Sequence, residues 1–161
     1  MRLPSNDDRA PRFDYQRQDS TLTLAQGLDE YYRGHPDLIR PEGISPEGAE
    51  LFRHHDICHV IFGLDTTMAD EAMADFRTVL STDVGLRRYL RYVRTNKEAQ
   101  QIFEEIGYLG ALGATLRAIP RLFRALTESL RSRRRWPWHP PERYLGKPLG
   151  SLRATYRIRV I

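Results

Sequence analysis

The chain has 161 residues, of which 40% are hydrophobic and 29% are charged, so it is long enough for one domain with a buried core. A single cysteine excludes an intrachain disulfide and gives no sign of an oxidising compartment. Residues 1–80 carry 8 arginines against 15 acids, whereas residues 81–161 carry 17 basic residues against 6 acids. The second half is therefore a candidate surface for anions such as phospholipid head groups, nucleic acid or a phosphorylated ligand.

The beginning of the chain predicts an irregular segment rather than a targeting signal. Met1–Phe13 contains two prolines and two acids, and no apolar stretch follows a basic start, so we expect no cleaved signal or transit peptide. The predicted organisation is an irregular segment over residues 1–19 and a single helical domain over residues 20–161. Within that domain the first element is an amphipathic helix from Leu22 to Arg33.

Two strongly marked helices follow. Ser45 is an N-cap candidate, a proline and an acid come next, and these signals predict a helix that runs to Phe62 and stops at Gly63. Thr67 has an aspartate three residues on, which resembles a capping box, and it opens a second helix to about Leu80. Because the connection between them is short, the two helices are predicted to form a hairpin.

The rest of the chain is also predicted to be helical. A helix covers Val84–Val93, and a long helix, kinked near Pro120, covers residues 97–134. The uncharged run Ile106–Leu116 contains three glycines and is too short to span a bilayer. It predicts close helix packing in the core or at the seam of a homodimer, or space for an isoprenoid tail. The predicted fold class is all-α, a single compact helical domain with no transmembrane segment.

An apolar stripe edged by arginines follows that run. The apolar positions are Leu116, Ile119, Leu122, Phe123, Leu126 and Leu130. The arginines are Arg117, Arg121, Arg124, Arg131, Arg133, Arg134 and Arg135, and Trp136 and Trp138 come directly after them. A basic amphipathic helix with tryptophans suits a membrane interface and predicts a peripheral protein on the inner membrane, on its cytoplasmic side. A solvated basic face over an ordinary core fits the same pattern.

A candidate metal site lies in the predicted hairpin. At about 100° per residue, His59 lies roughly 40° and Asp56 about 100° from His55 on the first helix. In a hairpin about Gly63, His59 and Glu71 each lie about four residues from the turn. They are therefore at the same height along the two helix axes. Two imidazoles and one or two carboxylates then converge, which is the ligand set of a divalent metal. The donors suit zinc, and equally iron, manganese or cobalt.

Neighbouring residues and other functions fit this pattern less well. His54 lies about 100° from His55 on the side opposite Asp56, which places it outside the ligand set, and Cys58 is predicted to be a core residue. A metalloprotease needs glutamate directly after the first histidine of its His-x-x-x-His motif, where this chain has Asp56. No nucleic-acid-binding motif is present, and the acidic first half argues against a broad phosphate-binding surface, so we expect no nucleic acid partner.

The segment Leu51–Thr67, with Glu71 beyond it, resembles the signature of the Coq-four family of ubiquinone (coenzyme Q) biosynthesis proteins, in its bacterial type. That family carries His-Asp-x-x-His, then eleven residues, then glutamate. His55, Asp56 and His59 match the first part of the motif, and Glu71 matches the last position. Weaker likeness extends over roughly residues 20–155.

The resemblance implies an enzyme, a metal-dependent carbon–carbon lyase. The family decarboxylates a polyprenylated hydroxybenzoate intermediate of ubiquinone synthesis, in a reaction linked to hydroxylation at the same ring carbon, and it associates with other ubiquinone-biosynthesis proteins on the membrane. His55, Asp56, His59 and Glu71 would then be both the metal ligands and the catalytic residues. The alternative is a non-catalytic scaffold that binds a metal and an isoprenoid lipid. A closed shell of four protein ligands favours the scaffold, and an open coordination position favours the enzyme.

Overall fold

The computed structural model describes residues 12–40, 44–96 and 134–161, together with residues 122, 123, 125–127 and 129. Its five longer helices are α1 (Leu24–Gly34), α2 (Pro46–Phe62), α3 (Met68–Ser81), α4 (Leu86–Thr95) and α5 (Leu149–Tyr156). Two 3-10 turns cover Asp14–Gln16 and Glu142–Tyr144. Strands are missing from this part of the chain, which has only two isolated β-bridges, so the predicted all-α class is confirmed.

The signals that mark the ends of α2 and α3 act as the sequence predicts. The Ser45 side chain accepts a hydrogen bond from the Gly48 N–H at 3.1 Å, and proline occupies the first position of α2. Gly63 ends α2 in the left-handed conformation, with φ 70° and ψ 37°. The Thr67 side chain accepts from the Asp70 N–H at 3.2 Å and starts α3. Both predicted helices are confirmed to within about one residue.

Replacing Gly63 with alanine should destabilise the fold. The positive φ strains any L-residue there by roughly 1–2 kcal/mol, and the added Cβ would lie 2.7 Å from Val160 Cγ1. We expect the free energy of unfolding in urea to fall by at least about 1 kcal/mol. Gly146→Ala is the matched control, because a Cβ at Gly146 would meet none of the described residues within 4 Å. Equal unfolding free energies for the two variants would contradict the assigned turn.

The N-terminal part of the described chain packs onto the helices. Residues 12–19 belong to the segment predicted to be irregular, and they contain a 3-10 turn that buries Tyr15 completely. The Tyr15 hydroxyl donates to the Leu64 carbonyl at 2.9 Å, directly after the turn that ends α2. α1 and α3 both pack against α2, so α2 lies at the centre of the described core.

Helix α5 was not predicted from the sequence, and one buried arginine explains its position. Arg153 is 0% exposed and donates to the carbonyl oxygens of Ile61 at 2.9 Å and of Val60 at 2.8 Å, at the end of α2. It also donates to the carbonyls of Tyr15 and Arg17. The last carbonyls of a helix lack partners within the helix, and a cation is favourable there. Arg153 thereby joins α5 and the N-terminal segment to α2.

The structure corrects the role predicted for the tryptophans. Trp136 is 1% exposed and Trp138 is 2% exposed, so the prediction that they lie at a membrane interface is wrong. The Trp136 ring packs edge-on against Tyr156, and the Trp136 backbone N–H donates to the Ser81 carbonyl at 2.8 Å. The chain turns back into the core after the arginine run, and composition alone could not show this. Most of the predicted long kinked helix, with its uncharged run, lies outside the described residues.

Candidate metal centre

The antiparallel packing of α2 and α3 pairs two histidines with two carboxylates. His59 Nε2 lies 3.3 Å from Glu71 Oε2, and one turn away His55 Nε2 lies 3.2 Å from Asp75 Oδ1. One ligand atom from each of His55, His59 and Glu71 lies within 4.8 Å of the others. The short distance between His59 and Glu71 agrees with the prediction that they lie at the same height along the two helices. Three donors from two helices thus surround a space that one cation could fill.

The fully buried His59 ring gives the clearest reason for a metal. Its Nδ1 lies 3.1 Å from the Asp65 carbonyl oxygen, which can only accept, so Nδ1 carries a proton. In the neutral ring Nε2 then holds a lone pair; it faces the Glu71 carboxylate and has no hydrogen-bond partner among the described residues. A divalent cation between these two acceptors would satisfy both of them. A histidine oriented by a backbone carbonyl through its other nitrogen is the usual arrangement at metal sites.

His55 is oriented by a pair of residues that the sequence analysis missed. Asp75 Oδ1 faces His55 Nε2 and also accepts a short hydrogen bond from the Tyr89 hydroxyl. Burial opposes protonation of His55, but the hydrogen bond to Asp75 and the negative charge of Glu71 outweigh it and raise the His55 pKa to about 9. Asp75 could have been suspected, because it lies four residues after Glu71 and so shares its helix face.

Glu71 is held in its charged form. Burial raises the pKa of this carboxyl, but the facing imidazoles of His59 and His55, in their protonated forms, lower it more, to about 2. The side chain is 38% exposed, and that of Asp75 is 42% exposed, whereas the His59 side chain is 0% exposed. The centre is therefore closed on the α2 side and open to solvent along α3, which gives a ligand access to it.

Asp56 is the predicted ligand that the structure does not bring into this group. Its carboxylate accepts a hydrogen bond from the Tyr32 hydroxyl at 2.7 Å, and the residue is 5% exposed. Burial raises the pKa of Asp56. The Arg40 guanidinium lies 4.4 Å from the centre of the Tyr32 ring and donates to the Tyr32 carbonyl at 3.0 Å. Asp56 is thus held beside the three donors by a partner from α1, which the motif alone does not identify.

The loop that orients His59 is itself fixed by α1. His35 donates from Nδ1 to the Tyr31 carbonyl at 2.8 Å, and its Nε2 lies 2.6 Å from Asp65 Oδ1. The Tyr31 ring stacks on the His59 ring, with 5.4 Å between the ring centres. Asp65 therefore links two histidines, one through its carboxylate and one through its carbonyl. The geometry of His59 is thus set by α1 and by the loop at Asp65 before any metal binds.

Two neighbours of the motif lie where the sequence predicts. Cys58 is buried in the core at 1% exposure, and burial raises the pKa of its thiol, so it is a poor source of thiolate. His54 lies outside the group and donates from Nδ1 to the Glu50 carbonyl at 2.7 Å. Neither residue adds a donor to the three of the centre.

Compared with protein-family models, with curated proteins and with solved structures, the chain matches none of them. The resemblance to the Coq-four family therefore rests on the four residues of the motif and on the weaker likeness around it. Three of those residues form the candidate metal centre, and the fourth, Asp56, is hydrogen-bonded next to it.

Proposed function

We propose that this chain is a metal-dependent decarboxylase of ubiquinone biosynthesis that acts on a polyprenylated hydroxybenzoate intermediate. The observation that carries the proposal is the trio of His55, His59 and Glu71, whose ligand atoms lie within 4.8 Å of one another. Among the described residues three protein donors meet here, and a set of three leaves a coordination position open, which is typical of catalytic rather than structural zinc sites. Zinc fits two imidazoles and a carboxylate, and iron, manganese and cobalt fit them as well.

Bound to these residues, the cation would supply Lewis acidity, holding the substrate carboxylate and phenolate and stabilising negative charge on the ring. The protein fixes the donors beforehand: the Asp65 carbonyl orients His59, and Asp75 orients His55. In the proposed step the bond between the ring carbon and the carboxyl carbon breaks, and carbon dioxide leaves. The electron pair stays on the ring carbon, which takes up a proton. Hydroxylation at the same carbon would need an oxidant in addition.

Asp56 is the proposed source of that proton. Its pKa is raised by burial, so the carboxyl group holds a proton more readily than an exposed aspartate does. The Tyr32 hydroxyl, 2.7 Å from Oδ2, fixes its orientation. In this role Asp56 contributes to the rate without binding the metal. Asp56→Asn should then lower the decarboxylation rate and leave the metal content unchanged.

The direct test uses a substrate with a short prenyl tail and a ¹³C-labelled carboxyl group. The metal-stripped protein is reloaded separately with zinc, iron, manganese and cobalt, and released ¹³CO₂ is measured together with the mass of the ring product. We expect metal-dependent release that is lost in His59→Ala and retained in Glu142→Gln, a variant of an exposed glutamate away from the centre. Tight binding of the lipid without any ¹³CO₂, for all four metals, would support the scaffold alternative instead.

The proposal includes contact with the cytoplasmic face of the inner membrane, because a polyprenylated substrate resides in the bilayer. Among the described residues, no helix is both long and apolar enough to cross a membrane. Phe123, within the apolar stripe predicted from the sequence, is 67% exposed, while Ala125 beside it is fully buried. An exposed aromatic next to a run of arginines supports peripheral attachment rather than insertion.

Reversing Arg117, Arg121 and Arg124 to glutamate should release the protein from anionic vesicles. Each arginine near such a surface contributes about 1 kcal/mol, so we expect vesicle binding to fall by about a hundredfold at low salt. Co-sedimentation measures this, and Phe123→Ser tests the apolar part of the contact. Arg33→Glu, at an exposed position of the acidic half, is the control and should bind as the native chain does. Unchanged binding of the triple variant would place the membrane contact elsewhere.

A further inference from the structure

A second group of metal-binding side chains lies on the other side of α2. Glu50 and His54 are four residues apart on one face of the helix, and His139 approaches them from the segment before the second 3-10 turn. One ligand atom from each of the three lies within 4.8 Å of the others. His139 Nδ1 is 3.6 Å from Glu50 Oε1, and the two imidazole ring centres are 4.6 Å apart.

The tautomer of His54 is set for metal binding. Its Nδ1 donates to the Glu50 carbonyl at 2.7 Å, so in the neutral ring the lone pair is on Nε2. A neutral imidazole oriented by a carbonyl is the form in which histidine ligates metals. A hydrogen bond from Nδ1 to a backbone carbonyl likewise orients His59 in the first centre.

The segment that brings His139 to this place is anchored. The neighbouring Trp138 is 2% exposed and packs 5.4 Å from the His54 ring, measured between ring centres. The Trp138 backbone N–H donates to Asp83 Oδ1 at 2.7 Å, just after α3. Helix α2 and the segment at His139 are both held by packing, so little conformational entropy is lost when a cation binds.

An open cleft of about 390 Å³ borders the group, and its lining includes Glu50 and His54 as well as Arg53, Ile57 and Glu142. The cleft gives a cation and its water ligands access to the three side chains. His139 and Glu50 are about half exposed, with side-chain exposures of 45% and 46%. Their substitution should therefore leave the core unchanged.

We propose that Glu50, His54 and His139 form a second metal site, which takes a transition-metal dication such as Zn²⁺ and completes its coordination with water from the cleft. Two imidazoles and one carboxylate match the preferences of such ions. The bound ion joins α2 to the segment that follows the arginine run. His54 and His139 are 85 positions apart in the sequence, so the ion links distant parts of the chain and stabilises the fold. The site shares no ligand with the first centre and does not depend on the proposed function.

The test is a titration of the metal-stripped full chain with Zn²⁺ alone. We expect two ions per chain in the native protein and one in His139→Gln, in Glu50→Gln and in the His55→Ala/His59→Ala variant. The ion left in the last variant should disappear when His139→Gln is added. Glu142→Gln, which changes another exposed glutamate of the same cleft, is the control and should keep both ions.

Thermal unfolding gives a second measurement. Zn²⁺ should raise the melting temperature of the His55→Ala/His59→Ala variant, and His139→Gln should remove that shift. One ion per native chain, or two ions that persist in both His139→Gln and Glu50→Gln, would overturn the second site. Loss of an ion only in the His55→Ala/His59→Ala variant would also overturn it, while leaving the first centre supported. The two sites are therefore tested separately.

Discussion

His59→Ala should weaken divalent metal binding at the first centre by more than about a hundredfold. His59 is fully buried, and its Nε2 faces Glu71 and finds no hydrogen-bond partner in the part of the chain that the structure describes. Its loss therefore removes a preformed donor that water replaces poorly. Residues that only orient a ligand cost about 10- to 100-fold when substituted, and a ligand itself should cost more. Competition with a chromophoric chelator measures the affinity, and Glu50→Gln in the background removes the second site.

Substitutions of other residues should weaken metal binding at the first centre less than His59→Ala does. Asp75→Asn keeps the donors and disturbs only the orientation of His55, so we expect a loss of about 10- to 100-fold. His139→Ala removes an exposed histidine of the second site and should leave the first centre intact. If His59→Ala and His139→Ala bind the metal equally well in the Glu50→Gln background, the buried imidazole is a core residue and no ligand.

Glu71→Gln should lower the decarboxylation rate at least about a hundredfold in a protein that remains folded. The substitution keeps the size of the side chain and removes the charge that faces His59 and the open side of the centre. Loss of an electrostatic group at a reacting centre typically costs 10²- to 10³-fold in kcat, and we expect a loss of at least about a hundredfold at saturating metal. Circular dichroism verifies the fold, and ¹³CO₂ release measures the rate.

The same variant can be examined in cells. In a bacterial strain that lacks its native decarboxylase for this step, the unmodified chain should restore ubiquinone, whereas Glu71→Gln should accumulate the carboxylated intermediate. Glu142→Gln is the control and should restore ubiquinone fully. Normal ubiquinone with Glu71→Gln would mean that the carboxylate is not needed for the chemistry, and the scaffold alternative would then gain support.

The hairpin could be predicted from the sequence because its determinants are local. Ser45, Gly63 and Thr67 each act within four residues of their own position, through a side-chain cap or a left-handed turn. With both ends fixed, helical geometry places His59 and Glu71 at one level without further information. Because the two residues lie at the same height, two imidazoles and a carboxylate converge between the helices.

The parts that escaped prediction depend on contacts distant in sequence. Tyr32 reaches Asp56 from another helix, and Arg153 reaches Ile61 across 92 positions, so neither leaves a local pattern. The burial of Trp136 and Trp138 depends on how the chain turns after the arginines, and the residues before that turn are described only in part. The type of a residue indicates whether it favours burial or exposure, whereas the packing of the whole fold determines which residues it contacts.

X-ray absorption at the zinc edge shows directly whether His55, His59 and Glu71 bind the metal. The sample is the Glu50→Gln/His139→Gln variant loaded with one equivalent of Zn²⁺, so that only the first centre binds. We expect two imidazole nitrogens at about 2.0–2.1 Å, one carboxylate and a remaining exchangeable position, and loss of this spectrum in a further His59→Ala variant. A spectrum without imidazole scattering, or one that His59→Ala leaves unchanged, would contradict the metal centre formed by His55, His59 and Glu71.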